Sequence, residues 1–225
     1  MRGWGRGSFV SDIFTEVDEE VRREQLKKLW DKYGNYAVAA AVLLVLAIGG
    51  WRGWEYMEAK KAAEAGAAYD TAADFAEQGK LPDAEAAFGK LATEGTPGYR
   101  VLARMRAAAA LAERDRAAAI AGYDAIAKDS SVAKLMQELA AVRAAMLLVD
   151  SAPLADVTAR LEPLAQPGGA FRHSARELLA LAALRANDAA AAKKWIDMVL
   201  GDADTPQGVR ARIDVLATLA EGAKS

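Results

Sequence analysis

The chain has 225 residues, room for one membrane segment and one ordinary domain but not for a multidomain enzyme. Its 29 basic and 31 acidic side chains nearly cancel, so no global field draws it to a polyanion such as nucleic acid. No cysteine is available for disulfides, thiolate metal sites, thiol catalysis or a lipid-modified N-terminal cysteine, and the alanine-rich, aromatic-poor composition favours closely packed helices over sheets.

Residues 1–10, glycine-rich with Arg2 and Arg6, show no periodicity and read as unstructured. Ser11 or Asp12 then offers a helix cap, and Thr15 with Asp18 has capping-box spacing. Val17, Val21, Leu26, Leu29 and Tyr33 recur at helical steps. Residues 1–33 therefore read as a cytoplasmic tail with a short amphipathic helix, its stripe lying on a membrane surface or docking a partner.

Between Lys32 and Arg52 runs an uncharged segment whose centre, Ala37 to Ile48, is unbroken Ala, Val, Leu and Ile. At ~1.5 Å per residue it matches the roughly 30 Å hydrocarbon core of a bilayer. Trp30, Tyr33 and Tyr36 at one end, and Trp51, Arg52 and Trp54 at the other, are the interfacial residues of a span. A cleaved signal peptide would need small residues where Trp51, Arg52 and Trp54 stand. Residues 34–54 are thus the expected transmembrane helix. Five basic residues precede it closely, Arg22, Arg23, Lys27, Lys28 and Lys32, against Arg52, Lys60 and Lys61 after it, which places the N-terminus inside and the C-terminal domain outside the cytoplasm. Gly49 and Gly53 form a G-x-x-x-G pair, a candidate contact with another membrane helix.

Beyond Glu55 the chain alternates alanine-rich runs with short breaks. Residues 55–80 read as a stalk and first repeat helix, continuous with the span because no breaker follows Gly53, and residues 81–225 as a repeat domain. A small residue is followed one turn later by a large one at Ala84 and Phe88, Ala119 and Tyr123, and Ala191 and Trp195, with Val157 and Leu161 departing from the pattern. The steps lie near the ~34-residue period of tetratricopeptide repeats, in which a small residue lets paired helices approach and a large one fills the gap beside them. The A helices are expected at 57–78, 97–113, 131–149 and 169–186, the B helices at 82–92, 116–128, 153–164 and 188–200, and a capping helix starts near Thr205 as N-cap with Pro206 at the first position. Leu135, Met136, Leu139, Val142 and Met146, like Leu178, Leu179, Leu181 and Leu184, share helical faces and read as core. The expected fold is all-α, one transmembrane helix followed by a tetratricopeptide-like α-solenoid.

Catalytic chemistry has little to work with. His173 is the single histidine, which excludes multi-histidine metal sites and reads as a surface or packing residue; no phosphate-cradling glycine loop is present. No enzyme activity, cofactor, metal, small-molecule substrate or nucleic-acid partner is expected. The A helices do concentrate positive charge: Arg100, Arg104 and Arg106, then Lys134 and Arg143, then Arg172, Arg176 and Arg185. These arginines either solvate helix surfaces or line a groove that receives acidic segments of a protein partner; in the second case Arg100, Arg104, Arg106, Arg143, Arg172 and Arg176 are its candidates.

Gly50-Trp51-Arg52-Gly53-Trp54 at the end of the span, the Tyr99–Leu111 helix and Leu178–Trp195 together resemble the YfgM-type ancillary subunit family of the Sec translocon, and the segment Ser11 to Glu20 resembles its alphaproteobacterial branch. The resemblance implies a bacterial inner-membrane protein with a periplasmic repeat domain that associates with the translocon and with periplasmic chaperones. The competing reading from residues alone is an accessory subunit of another inner-membrane complex, such as a respiratory assembly.

Overall fold

A computed structural model describes residues 9–222, with side chains described from Arg23 onward apart from residues 25, 26 and 222. The expected caps at Ser11, Asp12, Thr15 and Asp18 and the stripe through Val17, Val21 and Leu26 lie outside the described side chains, and most of the glycine-rich opening lies outside the described residues. The described residues are helical throughout, with no strand: α1 (Phe9–Glu77), α2 (Leu81–Glu94), α3 (Pro97–Leu111), α4 (Arg116–Ala127), α5 (Lys134–Leu148), α6 (Leu154–Leu161), α7 (Arg172–Arg185), α8 (Ala189–Leu200) and α9 (Gln207–Gly222), with a short 3₁₀ turn at Glu162–Leu164. The chain divides into two compact units, Met1–Lys60 and Lys61–Ser225.

In the first unit, α1 is helical across Gly34, Gly49 and Gly53 without interruption. It carries the chain's one helical stretch among the described residues that is long and apolar enough to cross a membrane, with a mean hydropathy of 1.7 over its best 18-residue window and only 6% of that window buried. Leu43, Leu44, Val45 and Leu46 are each more than 60% exposed. Trp51 and Trp54 meet edge to face, their centroids 6.0 Å apart, and Arg52 pairs with Glu55 at 3.2 Å.

In the second unit, helix ends follow from local chemistry. Gly79 turns the chain between α1 and α2 at φ +73°, and Asn187 does the same between α7 and α8 at φ +57°, a conformation that Gly and Asn tolerate best. Asp115 and Asp188 cap α4 and α8 by accepting the backbone N–H of Ala118 and Ala191 at 2.9 Å. The last helix departs from expectation. Thr205 does not cap α9; its hydroxyl is buried and donates to the Val199 carbonyl at 2.7 Å, and Arg210 N–H bonds the Pro206 carbonyl instead, so α9 starts one residue later.

The small-then-large pattern marks the buried face of the first three B helices. Ala84 and Phe88, Ala119 and Tyr123, and Val157 and Leu161 are all at most 5% exposed, so the third repeat, odd in its residue types, packs like the others. In the fourth, Ala192 rather than Ala191 is the buried small residue beside Trp195, because Ala191 sits at the capped helix start. Among the described residues three clusters form the core. Ala65, Ala72, Phe88, Leu91 and Ala103 join the end of α1 to α2 and α3; Tyr123, Ile126, Val132 and Ala140 join α4 to α5; and Val157, Leu161, Leu179, Trp195, Val199 and Ile213 fill the C-terminal half.

Candidate protein-binding groove

On α5 the face that enters the core is alanine: Ala140, Ala144 and Ala145 are fully buried, with Val142 beside them. Leu135 and Met146, expected in the core, are 56% and 47% exposed, and Leu181 on α7 is exposed as well. The reason is geometric. Alanine faces let helices approach closely, so methyl groups close much of the core; Leu135, Met146 and Leu181 are left outside it, while Met136, Leu147 and Leu148 pack along its edge. Leu178 and Leu184 are half-buried and Leu179 alone of the α7 leucines is fully buried.

The result is a groove of about 350 Å³ between α5, α7 and α9. Leu139, Val142 and Met146 form one wall, Phe171, Ser174 and Leu178 the other, and Arg143, Glu177 and Arg212 supply the charge. Arg212 is spent on Glu177 in a bidentate pair, one of its bonds measuring 2.8 Å. Arg143 is exposed and makes no ion pair among the described residues. A second, smaller groove of about 190 Å³ lies between the end of α1, α2 and α3, lined by Ala73, Ala76, Phe88 and Arg106.

The six candidate arginines separate into different roles. Arg176 is only 3% exposed and faces no groove: it donates to the carbonyls of Ala165 and Met198 and to Asp202, at 2.9, 3.2 and 2.9 Å. Arg172 donates to both Asp202 oxygens and to Asp204, and Arg210, which the sequence reading did not single out, bonds the carbonyls of Leu200 and Asp202. Arg172 and Arg176 hold the α8–α9 loop against α7, and Arg210 ties the same loop to α9. Arg172 beside it keeps the Asp202 carboxyl well below the usual carboxylate range. His173 is buried in the same web, 3.2 Å from the Thr205 hydroxyl, and burial together with Arg172 lowers its pKa. It is a packing residue.

Arg104 is likewise committed, bonding Asp129 at 2.6 Å. Ser131 and Arg104 bring the Asp129 pKa down to about 2. Arg106 donates to the Tyr69 hydroxyl at 2.9 Å, and Tyr69 in turn stacks edge-on against Phe88. Arg100 is exposed near the start of α3. Of the six, Arg143 is the one that lines the α5–α7–α9 groove; Arg172 and Arg176 are removed from it by structural pairing, which spacing along the helix did not reveal. Other arginines do the same work elsewhere: Arg160 clamps Asp124 across α4 and α6, and Arg185 bonds the carbonyls of Asp150 and Ala152.

The candidate membrane residues lie in the first unit. Trp30, Tyr33, Tyr36, Trp51 and Trp54 are all at least half exposed, and a side-chain carbon added at Gly49 or Gly53 would meet nothing within 4 Å. Arg52 is exposed and paired with Glu55. Among the described residues no cluster of His, Asp and Glu could hold a metal ion.

Compared with known proteins, residues 27–217 match the family described as tetratricopeptide repeat-like domain. No curated protein and no solved structure matches the chain.

Proposed function

The chain belongs to the tetratricopeptide repeat-like domain family, and from that premise we propose that it is a membrane-anchored, non-enzymatic scaffold of the bacterial inner membrane, an ancillary translocon subunit that holds exported proteins close to periplasmic chaperones. The observation that carries the proposal is the combination of an exposed apolar run, Ala37 to Ile48, edged by tryptophans, with a repeat stack that is a typical protein-interaction fold. A surface of Leu43, Leu44, Val45 and Leu46 left open to water would be an aggregation site, whereas a bilayer covers it. The excess of basic residues before the run supports a cytoplasmic N-terminus and periplasmic repeats. The translocon and chaperone assignment rests on the likeness of the Gly50–Trp54 end of the span and the repeat helices to the YfgM-type family.

Two measurements test this. Protease added to spheroplasts should digest the repeat domain while sparing the N-terminal tail; digestion only after lysis would overturn the topology. Crosslinking in native membranes should then join the full chain to translocon or chaperone components. If it joins a respiratory or other membrane complex instead, and a chain lacking residues 61–225 still copurifies with that complex, the accessory-subunit reading replaces the scaffold.

A further inference from the structure

Resting on the scaffold reading, we propose that the groove between α5, α7 and α9 binds a segment of a protein partner that presents large apolar side chains next to a carboxylate, with Arg143 receiving the carboxylate.

Three observations lead there. First, the groove is apolar by construction: the alanine face of α5 closes the core, leaving Leu139 and Met146 to face Leu178 and Phe171 across about 350 Å³. Met146 is 47% exposed, and the flexible thioether adapts to varied apolar shapes. Second, the charges of the groove are unbalanced. Glu177 is consumed by Arg212 in a bidentate pair, so the one carboxylate lining the groove among the described residues is neutralised from within. Arg143 is left exposed at the apolar wall without an ion pair among the described residues. Third, the other arginines that reach between helices are committed within the fold: Arg104, Arg160, Arg172 and Arg176 each contact an aspartate, Arg106 bonds the Tyr69 hydroxyl, and Arg185 and Arg210 bond backbone carbonyls. An unmatched guanidinium beside an apolar wall favours a carboxylate brought by the ligand, bound by charge-assisted, fork-shaped hydrogen bonds. A basic or uncharged apolar segment gains the wall but not that contact.

The test uses the full chain in nanodiscs and two short amphipathic peptides that share one leucine and phenylalanine face, one bearing glutamates and the other lysines. Fluorescence anisotropy should show the wild-type chain binding the glutamate peptide at least about tenfold more tightly, a difference of ~1.4 kcal/mol. Arg143→Glu should reverse the preference, and Met146→Glu should weaken both peptides; both positions are exposed, and circular dichroism checks that the variants fold. Equal binding of the two peptides by wild type, or an unchanged preference in Arg143→Glu, overturns the proposal, as does unchanged affinity in Met146→Glu. Partner capture from crosslinked membranes is read in parallel. If Arg143→Glu captures the same translocon or chaperone components as wild type, the groove is wrong and the scaffold stands. If the peptides are discriminated but no such component is captured, the groove stands and the scaffold reading fails.

Discussion

The same side chains meet opposite fates in the two units. Leu43, Leu44 and Val45 are more than 60% exposed, whereas Leu161, Leu179 and Val157 have no exposed surface at all. In the repeats, apolar groups are hidden by neighbouring helices, and each fully buried leucine is stabilised by roughly 1.5–3 kcal/mol relative to exposure in water. In the apolar run nothing from the described chain covers them, so under the proposed membrane anchoring their burial depends on lipid. Stability of the two regions should therefore respond to different perturbations.

The largest effect separates them outright. Leu44→Arg with Val45→Arg places two charges at the centre of the apolar run, at a cost of ~2.5–3.5 kcal/mol each for insertion. Alkaline extraction should move the variant from the membrane to the soluble fraction while the melting midpoint of the repeats is unchanged. If the repeats melt earlier, the span is part of their core and the comparison fails.

Leu179→Ala is the converse. It empties a fully buried position in the C-terminal core and should destabilise the repeats by ~2–5 kcal/mol, read by denaturant unfolding followed by circular dichroism, with membrane extraction unaffected.

A smaller and graded effect belongs to the arginine web around the α8–α9 loop. His173 has its pKa lowered by burial and by Arg172, so the unfolded chain takes up a proton first: the contribution of the neutral ring is present above ~6.5 and is lost as pH falls through the folded value. The lowered carboxylates, Asp202 and Asp129, behave alike at lower pH, contributing fully above their ordinary pKa and losing that contribution as pH falls through the folded values, about 2 for Asp129. The midpoint of thermal unfolding should thus fall in two steps on acidification. His173→Asn should remove the upper step and Asp202→Asn should shrink the lower; a pH profile unchanged in both variants would show that the web adds nothing to stability.

What the residues alone determined was local and periodic. The apolar run from Ala37 to Ile48 is contiguous, the helix breaks at Gly79, Asp115 and Asn187 are set by neighbouring backbone chemistry, and the B-helix pairs from Ala84 and Phe88 onward are separated by one turn. These are one-dimensional signals, so the order of helices and the repeat architecture were legible. Tertiary structure decided the destinations of long side chains. Arg176 shares helix α7 with groove-facing Leu178, yet its guanidinium reaches Ala165, Met198 and Asp202 on other elements, and Thr205 turns from cap to buried donor because Val199 and His173 lie beside it. It also decided which apolar face is core. On α5 both the alanine and the leucine–methionine sides have helical period, and only the neighbouring helices settle that the alanines go inward, since their small size allows the closer packing. The groove, with an Arg143 that makes no ion pair among the described residues, is what that choice leaves outside.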